Sequence, residues 1–210
     1  MQAKRIGIMG GTFDPIHFGH LVTAEHAREA FNLDEVIFMP AGLPVMKKDR
    51  GVSNKEDRFN MVKLAIEPNP YFKVSRMELD RPGDTYTYDT LKELKDVLPK
   101  DTQLYFITGA DAIIDVLTWK NARGIGKYAS FIAATRPGYD IEEAQRSFEH
   151  INFPVEISYL EIPALAISSS YMRERIKHGE SIRYLTDAKV VTYIHNHALY
   201  VAKTSDEVLK

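Results

Sequence analysis

The chain is predicted to be an α/β protein: a doubly wound, mainly parallel sheet with helices on both faces and further helices closing its C-terminal end. Two observations carry this. Apolar runs of strand length alternate with amphipathic stretches along most of the 210 residues, the pattern of strands joined by crossover helices. The breaker residues Gly10-Gly11, Pro40, Gly109-Ala110-Asp111 and Arg136-Pro137 each follow such a run, so they converge on one sheet edge. In folds of this kind a ligand sits beyond the carboxyl ends of the strands, where the strand order reverses.

Each element follows from local pattern. Arg5–Gly10 is a buried strand, and Gly19–Phe31, with Leu21, Val22, Ala24, Ala27, Ala30 and Phe31 apolar, is a helix. Glu35–Met39 is a second strand stopped by Pro40, and Ala41–Asn54 has no periodicity, which marks a long loop of the functional kind. Lys55–Ile66 is helical, with Phe59, Val62, Ala65 and Ile66 at helix spacing; Phe72–Ser75 is a short strand. Tyr88–Leu98 is a helix capped by Thr87 and followed by Pro99. Gln103–Thr108 is a strand leading to a short helix, Ala129–Ala134 another strand, Ile141–His150 a helix and Val155–Leu160 the last strand. Helices at Ser169–His178 and Asp187–His197 close a single domain over residues 1–200, and residues 201–210 form a loose tail.

Composition narrows the function. A net charge of −2 offers no basic field for duplex nucleic acid, so no nucleic-acid partner is expected. The chain has no cysteine, which removes disulfides, thiolate metal sites and a thiol nucleophile together. No apolar run approaches the roughly 20 residues that span a bilayer, and the first strand follows the start directly. The expected location is cytoplasmic, without a membrane partner; a homodimer is left open.

Two segments could carry chemistry. In Gly10-Gly11-Thr12-Phe13-Asp14-Pro15-Ile16-His17-Phe18-Gly19-His20 a strand ends in a glycine turn and a helix begins with histidines at i and i+3, on one face. Backbone N–H groups and two imidazoles at a strand-to-helix junction suit a polyphosphate. A zinc site would need a third His or Cys at metal spacing, and a serine hydrolase would need a Gly-x-Ser-x-Gly elbow; the chain has neither. Two polar histidines on an exposed helix end are the plainer alternative. The second segment is Ile167-Ser168-Ser169-Ser170-Tyr171-Met172-Arg173-Glu174-Arg175. Its serines are helix caps in the simplest view, but a helix start also attracts an anion, and Arg173 lies one turn further in.

Together these segments resemble the nucleotidylyltransferase superfamily of His-x-Gly-His enzymes, and most closely the bacterial nicotinate-nucleotide adenylyltransferases. The likeness covers residues 4 to 200 and includes Pro40, Pro44 and Lys47, the run Thr85-Tyr86-Thr87-Tyr88-Asp89-Thr90, Gly109-Ala110-Asp111, Trp119 and Arg136-Pro137-Gly138. It implies a Rossmann-like fold and a reaction in which the phosphate of nicotinate mononucleotide attacks the α-phosphorus of ATP, with Mg²⁺ delivered on the ATP and no protein-held metal. By the same resemblance His17, His20, Arg173 and Lys47 would be catalytic. Gly10, Gly11, Thr12, Phe13, Gly109, Asp111, Ile167, Ser168, Ser169 and Ser170 would bind ATP. Thr85, Tyr86, Asp89, Trp119 and Arg136 would bind the mononucleotide, with Trp119 stacking on the pyridine ring; Trp119 as packing and Asp89 as an ordinary first-turn residue are the alternatives. The chain departs from the family at Met46, where a histidine is frequent, and at Ala41, where a polar residue is; Lys48 is the cation at hand to compensate. A phosphopantetheine adenylyltransferase and a non-catalytic nucleotide sensor are the competing functions.

Overall fold

The computed structural model describes residues 3–42, 51–138, 140–142, 146, 153–163 and 165–201, with the backbone alone at 111, 112 and 114. Strands β1 (Arg5–Gly11), β2 (Glu35–Pro40), β3 (Phe72–Val74), β4 (Gln103–Gly109), β5 (Ala129–Thr135) and β6 (Ile157–Glu161) form one sheet in the order β3-β2-β1-β4-β5-β6. All five pairings are parallel. Helices α1 (Phe18–Ala30), α2 (Lys55–Ile66), α3 (Met77–Asp80), α4 (Thr87–Val97) and α5 (Ala110–Ile113) precede α6 (Ser169–Lys177) and α7 (Ala188–Asn196). Among the described residues no helix is long and apolar enough to cross a membrane.

Alternation along the strands sorts the interior into two layers. Met9, Val36, Phe38, Ile107 and Ile132 face Ala24 and Ala27 of α1, Met61, Val62 and Ala65 of α2, Met172 of α6 and Val190 of α7. Ile6, Ile8, Met39, Leu104, Phe106 and Phe131 face Leu91 and Leu94 of α4, Ile113 of α5 and the 3₁₀ turns at Ile114–Thr118 and Ala122–Lys127. Full burial of each large aliphatic or aromatic side chain stabilises by about 1.5–3 kcal/mol. The doubly wound expectation therefore holds, with the order reversing between β1 and β4.

Several local readings are corrected. Thr87 is the first residue of α4 rather than its cap; the cap position is Tyr86, in extended conformation. The last strand runs Ile157–Glu161, two residues later than expected at its start, because the chain enters it through a bend at Val155. Helix α3 and the 3₁₀ turn at Ala122–Lys127 were not expected, since one turn of helix leaves no apolar period to detect. Most of the expected loop 41–54 and helix 141–150, and the tail beyond Val201, lie outside the described residues.

Candidate active site

Two cavities open at the reversal point and share Gly10 and Thr108, at the carboxyl ends of β1 and β4. The first, about 380 Å³, is walled by His17, Gly19, His20 and Val22 on the α1 side, and by Gly109, Arg136 and Ile167 opposite. The second, about 450 Å³, lies over the other layer and is walled by Gly11, Thr12, Ala41, Glu78, Thr85, Tyr86, Trp119 and Lys120.

The histidines are set by the start of α1. His17 is its N-cap residue, in extended conformation, and its backbone N–H donates to Nδ1 of His20 at 3.2 Å. A neutral His20 therefore carries its proton on Nε2. The two rings stack at 3.8 Å, and the edge of Phe13 meets His20 at 5.0 Å. Phe13 is itself buried, with φ of +52°, so the turn after β1 holds an aromatic ring in a left-handed conformation beneath the imidazoles. A side chain at Gly19 would place its Cβ 2.9 Å from Nδ1 of His17, so only glycine leaves that ring where it is.

His17 is 7% exposed, and its Nδ1 is buried without a hydrogen-bond partner among the described residues. Burial lowers its pKa to about 4, so the ring is neutral at pH 7. Between pH 6.5 and 4 the unfolded chain binds the proton that the folded chain refuses, so this group costs stability as the pH falls through that window. Urea unfolding at pH 7 and pH 4 should show wild type losing about 3 kcal/mol more than His17→Gln over this interval. Parallel losses in the two proteins would mean that His17 titrates normally.

The serine–arginine segment braces the signature turn. Ser168 caps α6, its Oγ accepting from the Tyr171 N–H at 3.1 Å. Ser169 Oγ donates to the Pro15 carbonyl at 2.8 Å, while Arg173 donates to the Asp14 carbonyl at 2.7 Å and to Ser170 Oγ at 3.2 Å. Of this run only Ile167 lines either of the two cavities described above. Thr186 Oγ1 adds a bond to the Ile16 carbonyl at 2.9 Å.

In the second cavity Trp119 stands edge-on to Phe106 at 5.8 Å and 85°, half-buried. The Lys120 ammonium lies 4.3 Å from the centre of the Tyr86 ring. Glu78, beneath them, accepts from Thr90 Oγ1 at 2.7 Å, and burial pushes its carboxyl pKa up.

The structure redistributes some expected residues. Gly11 and Thr12 line the second cavity, not the one that holds the histidines, because the chain leaving β1 bends toward β2. Arg136, expected with Trp119 among the mononucleotide ligands, lines the first cavity; it follows β5, which lies beyond β4 in the strand order. Asp89 lines neither cavity and pairs with Lys120 at 3.1 Å, since α4 turns Thr87, Thr90 and Leu91 inward instead. Lys47, with Pro44, Met46 and Lys48, lies outside the described residues, as does the side chain of Asp111. Arg58, Glu78 and Lys120 were not anticipated. Arg58 had a signal: it shares a helical stripe with Met61, Val62 and Ala65, at i, i+3, i+4 and i+7.

Comparison with known proteins gives the family and supports the fold. The family model described as cytidylyltransferase-like matches residues 8–175. A Thermoanaerobacter sp. (strain X514) protein named "Probable nicotinate-nucleotide adenylyltransferase" is 51% identical over 201 residues, 93% of this chain and 94% of its own. A Moorella thermoacetica protein of the same name is 50% identical over 200 residues, 93% and 91% of the two chains. A solved structure titled as Plasmodium falciparum nicotinic acid mononucleotide adenylyltransferase complexed with NaAD superposes with a TM-score of 0.77 at 24% identity. It covers 94% of this chain and 97% of its own, and establishes likeness of fold. Matched over most of its length by the family model and over more than nine-tenths by these relatives, the chain belongs to the cytidylyltransferase-like family, in its nicotinate-nucleotide adenylyltransferase branch.

Proposed function

We propose that the chain transfers the adenylyl group of ATP to nicotinate mononucleotide, forming nicotinate adenine dinucleotide and pyrophosphate on the way to NAD. The observation that carries this is the pair of cavities meeting only at Gly10 and Thr108, with two imidazoles on one side and an aromatic wall on the other. A triphosphate beside His17 and His20 and a mononucleotide beside Trp119 would bring their phosphates together across a glycine. The relatives' names support the choice of acceptor.

The chemistry needs little from the protein beyond placement and charge. A mononucleotide phosphate oxygen bonds to the α-phosphorus as the bond from that phosphorus to the bridging oxygen breaks, and pyrophosphate leaves with that oxygen. The nucleophile is already anionic, so no side chain has to take a proton, and positioning with charge stabilisation suffices. His20, with its proton on Nε2, donates to the oxygens on which charge develops; Arg136 is the cation that lines the same cavity. Magnesium enters as part of the MgATP substrate, held by phosphate oxygens and water.

Pyrophosphate release from MgATP, measured with nicotinate mononucleotide, nicotinamide mononucleotide and phosphopantetheine as acceptors, tests the assignment. Release is expected with the first, much less with the second, and none with the third. Turnover only with phosphopantetheine, or ATP binding without release for any acceptor, defeats it.

A further inference from the structure

One buried guanidinium joins three carbonyls that are far apart in sequence. Arg58, 1% exposed, donates through Nη1 to Thr12 O at 2.9 Å, through Nη2 to Gly42 O at 3.2 Å and through Nε to Ser53 O at 3.2 Å. Asp14 stands next to this knot, its Oδ2 accepting from the Ser53 N–H at 3.3 Å and its Oδ1 from the Tyr200 hydroxyl at 2.7 Å. None of these bonds reaches a cavity directly, yet what they hold does. Thr12, and Ala41 beside Gly42, are both walls of the second cavity, and neither belongs to the first.

The packing leaves this wall little freedom of its own. A Cβ on Gly42 would lie 2.2 Å from the Glu78 carbonyl, so the backbone there is pressed against α3. Glu78 in turn lines the same cavity and holds Thr90. A shift of Gly42 would therefore be felt at the Thr85–Tyr86 side of the cavity as well as at Thr12. The planar fork matters here, because three carbonyls in three directions match guanidinium N–H vectors and not a single ammonium.

We infer that Arg58 is a positioning residue for adenylyl transfer: it touches no substrate, but ties the Thr12 and Ala41–Gly42 walls of the acceptor cavity to the signature turn and so sets acceptor affinity. The inference rests on the second cavity being the mononucleotide site. It separates Arg58 from a residue that only stabilises the fold, because the donor cavity contains none of the tethered walls.

The test is the kinetics of Arg58→Lys and Arg58→Ala, with folding checked by circular dichroism. KM for nicotinate mononucleotide should rise about ten- to hundredfold, the loss of charge-assisted hydrogen bonds, while KM for ATP stays as in wild type. Millimolar methylguanidinium should restore acceptor affinity in Arg58→Ala, where it has a vacated site to fill, and not in wild type. Equal rises in both KM values, unchanged KM values, or failure of both variants to fold would each overturn the role and leave Arg58 as a structural residue. Wild type run alongside keeps the two questions apart: its failure to use nicotinate mononucleotide defeats the function itself, whereas its normal turnover beside symmetric variant kinetics defeats only the inference.

Discussion

His20→Ala is expected to lower turnover by about two to three orders of magnitude, the scale of removing one donor from developing phosphoryl charge. The His17 N–H donates to Nδ1 of His20 and so directs the ring's other N–H away from the helix end. Alanine removes that donor and also unpairs the N-cap amide, which costs a further ~1 kcal/mol of stability as for other lost caps. The two losses can be separated. In His20→Asn the shorter amide oxygen can still accept from the helix end but cannot reach the phosphates, so stability should return and turnover should not. Steady-state pyrophosphate release, with urea melts of each variant, reads both. Near-wild-type turnover in a folded His20→Ala protein removes His20 from the catalytic set.

Trp119→Ala weakens mononucleotide binding by about 1–3 kcal/mol, roughly ten- to hundredfold, if its ring stacks on pyridine as aromatic side chains stack on bases. The indole is braced edge-on by Phe106 and lines only the second cavity, so the affinity for ATP should hold. Trp119→Phe, which keeps a flat ring, should recover part of the loss. Trp119 is the chain's one tryptophan, so quenching of intrinsic fluorescence on adding nicotinate mononucleotide reports contact directly. An unchanged acceptor affinity in the alanine variant assigns the indole to packing.

These two residues were visible in the sequence for different reasons. His17 and His20 stood out because a glycine turn and a helix start lie within one short segment, and local geometry alone brings them together. Trp119 entered only through family likeness. The strands were legible because their apolar runs end in breakers, and a parallel sheet followed from strand–helix alternation, while its strand order came only with the structure. What escaped was long-range and polar. Arg58 lies on the apolar stripe of its helix, which marks it for burial, but its partners Thr12, Gly42 and Ser53 come together only in the fold. Ser169 and Arg173 looked like anion ligands, yet Ser169 donates to the Pro15 carbonyl and Arg173 to the Asp14 carbonyl and the Ser170 hydroxyl. Nothing in the sequence distance of more than 150 residues announces the two carbonyl bonds. Arg136 lines the cavity of the histidines and not that of Trp119, because motif order along the chain says nothing about which side of β4 a loop falls on.

The alternating pleat of β1 and β4 has a consequence for how such a protein can change. Met9 and Ile107 border the histidine side, while Ile8 and Phe106 border the tryptophan side, so under the proposed function donor and acceptor would be recognised from opposite surfaces of the same strands. A new acceptor could be accommodated by rebuilding the layer under α4, and the grip on the nucleotide would keep its own foundations beneath α1. With the substrates so placed, donor and acceptor preference would be separable traits, set on opposite faces of the sheet on either side of the Gly10 threshold.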